Sequence, residues 1–191
     1  SATMAAVYPP TRRPIAPSSM IPGLISSRAA SVLMLGLCLQ GLAAHADVYD
    51  EVERMIRNGQ FEKASQASRQ HLDKTPQDPQ MRLLSSRILD SQGNTDEATA
   101  VLESLTQEFP ELPEPHNNLA VLYARQGRAL EALTSLNKAI AARPDYTVAQ
   151  ENLGDLYLSL ALQAYQRARQ TPAPSTSAAR KAQALEPLLK H

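Results

Sequence analysis

The sequence predicts an all-α fold, a solenoid of about three helical hairpins closed by a long C-terminal capping helix. Three observations predict it. Gly59, Gly93 and Gly127 stand 34 residues apart, and so do Ala64, Ala98 and Ala132, and Pro76, Pro110 and Pro144. Between these marks apolar residues recur at spacings of three and four: Leu119 and Tyr123, then Leu133, Leu136 and Ile140. Such spacing gives each helix one buried stripe. Each marker also suits a hairpin chemically. Glycine ends the first helix in a left-handed conformation that costs little without a Cβ. Alanine lets the second helix cross the first closely. Proline stops the second helix, because it lacks an N–H and disfavours helix in the residue before it.

The first 46 residues carry Arg12, Arg13 and Arg28 and no acid, Asp47 being the first carboxylate. After Arg28 comes "AASVLMLGLCLQGLAAHA", whose apolar heart, Val32 to Leu39, falls short of the ~20 residues a membrane-spanning helix needs. It gives way to Ala44-His45-Ala46, the small-x-small pattern of a secretory cleavage site. The leader therefore predicts export, with cleavage between Ala46 and Asp47. Met20 would open a leader of ordinary length, and the Pro- and Ser-rich residues before it read as an over-extended start. Left uncleaved, the same segment would anchor the chain in the inner membrane. Cys38, the single cysteine, lies inside it, so the exported product would hold no thiol or disulfide. That product carries 16 basic and 19 acidic residues, a net charge of about −3 that gives no electrostatic case for nucleic acid.

The hairpin array is expected over 47–170. Its units fall at 45–78, 79–112 and 113–146. Unit one is degenerate, with Ser68 and His71 where unit three has Leu136 and Ala139, as suits an end cap with one unpartnered side. Unit two departs at Ser85 and Ser86, opposite Leu119 and Ala120. The final segment, 147–170, starts like a fourth unit with Leu153, Gly154 and Tyr157, but has Ala161 where the turn glycine would stand. Without that turn it reads as one helix from about Val148 to Gln170. Residues 171–191 follow as a "TPAPSTS" linker and a short, weakly ordered helix halted by Pro187, with only Ala182, Leu185 and Leu188 or Leu189 to bury.

The stretch "HNNLAVLYARQGRALEALTSLNKAIAARP", 116–144, resembles the tetratricopeptide repeat family at Leu119, Ala120, Tyr123, Gly127, Ala132, Leu136, Ala139 and Pro144. Residues "NLGDLY…QAYQRA" are similar to the closing helix of small exported members from Gram-negative bacteria. The resemblance implies a concave groove lined by the first helix of each unit, which binds a protein or an extended peptide segment. The family's groove positions fall on Tyr49 and Glu53, then Leu83, Arg87 and Asp90, then Asn117, Asn118, Val121 and Arg125, and finally Glu151, Asn152 and Asp155. The amides of Asn117, Asn118 and Asn152 could hydrogen-bond a peptide main chain. Family members that grip a C-terminal carboxylate do so with Lys, Asn and Arg. The corresponding places here hold Tyr49, Glu53, Leu84, Glu114 and Asn118, none of them basic, so a chaperone tail of that kind is not expected.

No catalytic set emerges. His71 and His116 lack a histidine or carboxylate three or four residues on, so neither makes a helical metal pair. Glu51 and Glu53 stand two apart on a helix and do not face each other. The glycines form no phosphate loop and no serine lies in G-x-S-x-G. Tyr123, Tyr157 and Tyr165 sit at packing positions. The sequence thus predicts no enzyme, no metal and no cofactor. It predicts an exported adaptor or scaffold, periplasmic or secreted, that engages another protein. The alternative is a subunit of an envelope assembly that self-associates through the C-terminal helix.

Overall fold

The computed structural model describes residues 48–171, 173 and 175–189; the leader and its cleavage site lie outside them. Among the described residues the regular structure is helical, with no strand. Helix α1 covers 48–57 and α2 Phe61–Leu72. Then come α3 Pro79–Ser91, α4 Thr95–Glu108, α5 Pro113–Arg125, α6 Ala129–Ala142, α7 Thr147–Arg169 and α8 Thr176–Leu185, ending in a 3₁₀ turn at Glu186–Leu189. The period is visible in these bounds: α3, α5 and α7 start at 79, 113 and 147, and α2, α4 and α6 at 61, 95 and 129. The expected glycines all take the left-handed backbone, with φ of 69°, 86° and 76° at Gly59, Gly93 and Gly127. No helix among the described residues is long and apolar enough to cross a membrane. By compactness the chain divides at Gln92–Gly93 into two units.

In the first unit Val52, Ala64, Met81, Leu84 and Ile88 form the buried core, with Tyr49, Met55, Phe61 and Leu72 packed around it. Ser68 does not face an open side as the cap reading expects. It is buried at 1% exposure, with its hydroxyl unpartnered. Ser86, also buried, donates its hydroxyl to the Leu83 carbonyl at 2.8 Å, so a polar seam residue is satisfied within its own helix. His71 is used too. Its Nε2 lies 2.6 Å from Asp78 Oδ2, and the Tyr49 hydroxyl donates to the same oxygen at 2.5 Å. The other oxygen, Oδ1, accepts from the backbone N–H groups of Gln80 and Met81 and so caps α3. One carboxylate thus ties α1, the last turn of α2 and the start of α3.

In the second unit α5 packs on α4 and α6, and α7 on α6. Ala98, Ala132 and Ala139 are fully buried at the helix crossings, beside Leu102, Leu105 and Leu136. Tyr123 reaches out of the stripe: its hydroxyl donates to Glu103 at 2.7 Å while the Arg128 guanidinium lies 4.1 Å over its ring. Helix α8 is docked rather than marginal. It packs on α7, buries Ala178, Ala182 and the following Leu189, and sets Lys181 over the Tyr165 ring. Tyr157, expected to pack, is 52% exposed. It holds the register of Tyr123, but the chain continues as helix where a counterpart of α6 would have turned back to cover it.

Two outcomes follow from this packing. Ala132→Trp should overpack the α5–α6 crossing, costing ~1–3 kcal/mol or more and lowering the melting temperature by several degrees; an unchanged melt would contradict the crossing. Burial pushes the Asp78 carboxyl up, but the hydrogen bonds from Tyr49, His71 and the Met81 N–H outweigh it and hold its pKa below the ordinary value. Its stabilisation is therefore present above about pH 4, the unfolded carboxylate range, and is lost as pH falls through the lower folded value. Asn is as good a cap as Asp, so Asp78→Asn removes the charge and keeps the cap. It should melt lower at pH 7 and depend less on pH below about 4, as read by thermal denaturation across that range.

Candidate functional site

The helices that open each hairpin carry the residues expected to meet a partner. In the first unit these are α1 and α3. The Tyr49 hydroxyl is committed to Asp78, and burial together with that carboxylate raises its pKa far above the ordinary phenol value. Glu53 stands between two guanidiniums, 3.8 Å from Arg87 of α3 and 3.5 Å from Arg57 of its own helix. Leu83 and Asp90 are half-buried on α3. Three of the expected positions are therefore joined to neighbours by polar contacts: Tyr49 across to the α3 cap, and Glu53 and Arg87 to each other.

In the second unit the residues stand on α5 and α7. Both helices start after a proline-bearing turn, and α5 has Pro113 at its first position, where a missing N–H is harmless. Asn117, Asn118 and Asn152 are brought together, but not on an open lining: their exposures are 0%, 3% and 1%. The Asn152 amide donates to Asn117 Oδ1 at 2.8 Å, and the Asn117 amide reaches Asn118 Oδ1 at a longer 3.4 Å. The chain of amides ends at Asn118 Nδ2, a buried donor with no partner. Such a donor forfeits its hydration without an exchange bond, a cost of about 1–3 kcal/mol. Val121, one turn on, is buried at 4%; Glu151 and Arg125 are exposed, and Asp155 is half-buried.

Below the amides, Glu114 pairs with Arg143, whose guanidinium lies 4.6 Å over the Tyr146 ring. The Tyr146 hydroxyl is buried without a partner, and burial plus the nearby Glu114 carboxylate pushes it up to about 12. His116 is buried, with Nε2 3.1 Å from the Pro110 carbonyl, and burial lowers its pKa, so it stays neutral. Among the described residues no three His, Cys, Asp or Glu side chains gather as a metal site.

Sequence reasoning missed two features. The His71–Asp78 pair spans seven residues across a turn, beyond the helical spacings at which ligand pairs are sought. Its visible signal was Asp78 before Pro79, an N-cap followed by a first-position proline. The Arg143–Glu114 pair joins the residue that stops α6 to the first turn of α5 in the same unit, a contact only the folded hairpin creates.

Family models of the tetratricopeptide repeat match residues 49–113 and 89–142. No curated protein sequence matches significantly. Among solved structures the chain is similar to the Sgt2 TPR domain from Aspergillus fumigatus, with a TM-score of 0.59, 16% identity and coverage of 69% of this chain and 87% of that one. It is also similar to the first TPR domain of the human RPAP3 protein, with a TM-score of 0.56, 11% identity and coverage of 60% and 90%. A Thermobaculum terrenum O-GlcNAc transferase matches at a TM-score of 0.55 and 21% identity, over 80% of this chain but 29% of its own. At these identities the likeness is one of fold. The repeat period, the glycine-turned hairpins and both family models agree: the chain belongs to the tetratricopeptide repeat family.

Proposed function

We propose that this protein is an exported, non-catalytic adaptor that binds an extended segment of another protein along α5 and α7. Tetratricopeptide repeats generally mediate protein–protein interaction; the route of export and the mode of binding are the present reading. The observation that carries it is the amide chain. Asn152 and Asn117 bond each other, and Asn118 is left with one unused donor facing no protein acceptor. In the unbound fold that amide is buried, so a peptide carbonyl takes it up only by turning the Asn118 side chain outward; reading main chain more than side chain suits an adaptor. Exposed Arg125 and Glu151, of opposite sign on the two helices, would set the direction of the bound segment. The leader, with Arg28 ahead of a short apolar run and an A-x-A end, supports export to the periplasm or beyond.

The binding reading is tested by crosslinking from a photoreactive residue at position 125 in living cells, followed by affinity measurement on the captured segment. Asn118→Ala should weaken that segment by ~2–10-fold, the worth of one hydrogen bond, without changing the helical circular dichroism. Equal affinity in the variant would remove the amide chain from the site. N-terminal sequencing of the exported protein should begin at Asp47; a leader retained in the membrane fraction would mean an anchored protein instead.

A further inference from the structure

The second unit separates its charges. Residues 93–124 carry six carboxylates and no Lys or Arg: Asp96, Glu97, Glu103, Glu108, Glu111 and Glu114. Residues 156–185 reverse the pattern, with Arg167, Arg169, Arg180 and Lys181 and no acid. The fold gathers the cations. Arg167 and Arg169 end α7, the Ser175 N–H bonds back to the Ala168 carbonyl at 3.4 Å, and α8 returns along α7 carrying Arg180 and Lys181. All four are exposed, and none is paired with a carboxylate among the described residues. In the acidic block Glu103, Glu108 and Glu114 are engaged by Tyr123, Ser104 and Arg143, which leaves Asp96 and Glu97 exposed in the first turn of α4 and Glu111 in the loop after its far end.

Four like charges at the tip of one hairpin, with no counter-charge, raise the local potential and draw an anionic surface to it. We infer that the partner is a second copy: the α7–α8 tip of one molecule docks on the acidic first turn of α4, at Asp96 and Glu97, of the next. The same chain supplies both signs, on elements that do not pack against each other, α4 lying on α5 and α8 on α7. Each copy offers one patch of each kind, so the contact is head-to-tail. Such a contact propagates into rings or chains and does not stop at a two-fold dimer. It leaves the amides of α5 and α7 unused, so it stands apart from the adaptor reading, and the failure of either leaves the other untouched.

Sedimentation velocity of the full-length protein tests it. The weight-average mass should rise with concentration, passing that of a dimer, in about 50 mM salt, and fall to the monomer in about 0.5 M salt, where screening cuts the range of charge to a few ångströms. The R167E/R169E/R180E/K181E variant should stay monomeric in low salt, and so should D96K/E97K. Mixing the two should restore association, because each then supplies the sign the other lost. Should these sets disturb folding, as read by circular dichroism, R180E/K181E and the single E97K make the same exchange in milder form. A wild-type mass that stays monomeric in low salt overturns the inference, and so does a tip variant that still assembles. Monomeric protein that binds phosphatidylglycerol vesicles through the same four cations overturns it as well, and would make the tip a lipid-facing patch.

Discussion

The backbone conformation of three glycines is the constraint on which the architecture rests. At Gly59 and Gly127 the positive φ closes two bonds at once. Gly59 N–H reaches the Ile56 carbonyl and Gln60 N–H the Met55 carbonyl; Gly127 and Arg128 repeat this with Ala124 and Tyr123. Those bonds satisfy carbonyls that a helix end would otherwise leave bare, and they reverse the chain in two residues. A Cβ at any of the three would meet nothing within 4 Å, so no neighbour enforces glycine. The requirement is torsional. Because the turn is short and fixed, the second helix of a hairpin starts at a set distance from the first. Only then does a small residue such as Ala64 or Ala132 fall at the crossing on every repeat.

Where the apolar pattern weakens, polar contacts take over the same task. Unit one has lost a leucine and an alanine to Ser68 and His71, and its second helix would be poorly held by packing alone. The Asp78 carboxylate compensates by collecting Tyr49, His71 and two backbone N–H groups on one side chain. In the second unit Tyr123, Glu103 and Arg128 form the counterpart, joining α4, α5 and the turn into α6 around an aromatic ring. These networks fix position more than they add net energy, since a satisfied buried polar group mainly avoids a penalty. Ser68 shows the other outcome, a buried hydroxyl with no partner, and marks the least well-adapted point of the first hairpin.

Helix starts, turns and crossings were legible in the sequence because each depends on one residue and its near neighbours. Glycine at C′, proline at a helix start and alanine at a crossing act locally, and the 34-residue ruler places them within a residue or two. The docking of α8 was not legible. A short helix with few apolar residues reads as marginal by itself; what holds it is the long α7 lying alongside, which covers Ala178 and Ala182. The burial of the three asparagines escaped notice for a similar reason. Asn117 and Asn152 stand 35 residues apart, and their hydrogen bond exists only once α7 has packed beside α5. A family position tells which way a side chain points, not whether its neighbours will bury it.

The end of the array follows from a single missing turn. At 161 alanine stands where the earlier units have glycine, and the helix runs on for two more turns to Arg169. The chain then reverses through a linker too far along for α8 to reach the place that α6 takes beside α5. Gly154 and Tyr157, in register with Ala120 and Tyr123, are left facing solvent, whereas their counterparts lie at 0% and 8% exposure. A regular fourth hairpin would have hidden that face behind a second helix. Replacing one glycine by alanine favours continued helix by about 1 kcal/mol at that position and makes the left-handed turn costly. So small a local preference decides where the solenoid stops, and it sets the cationic tip of α7 and α8 beyond the last regular crossing.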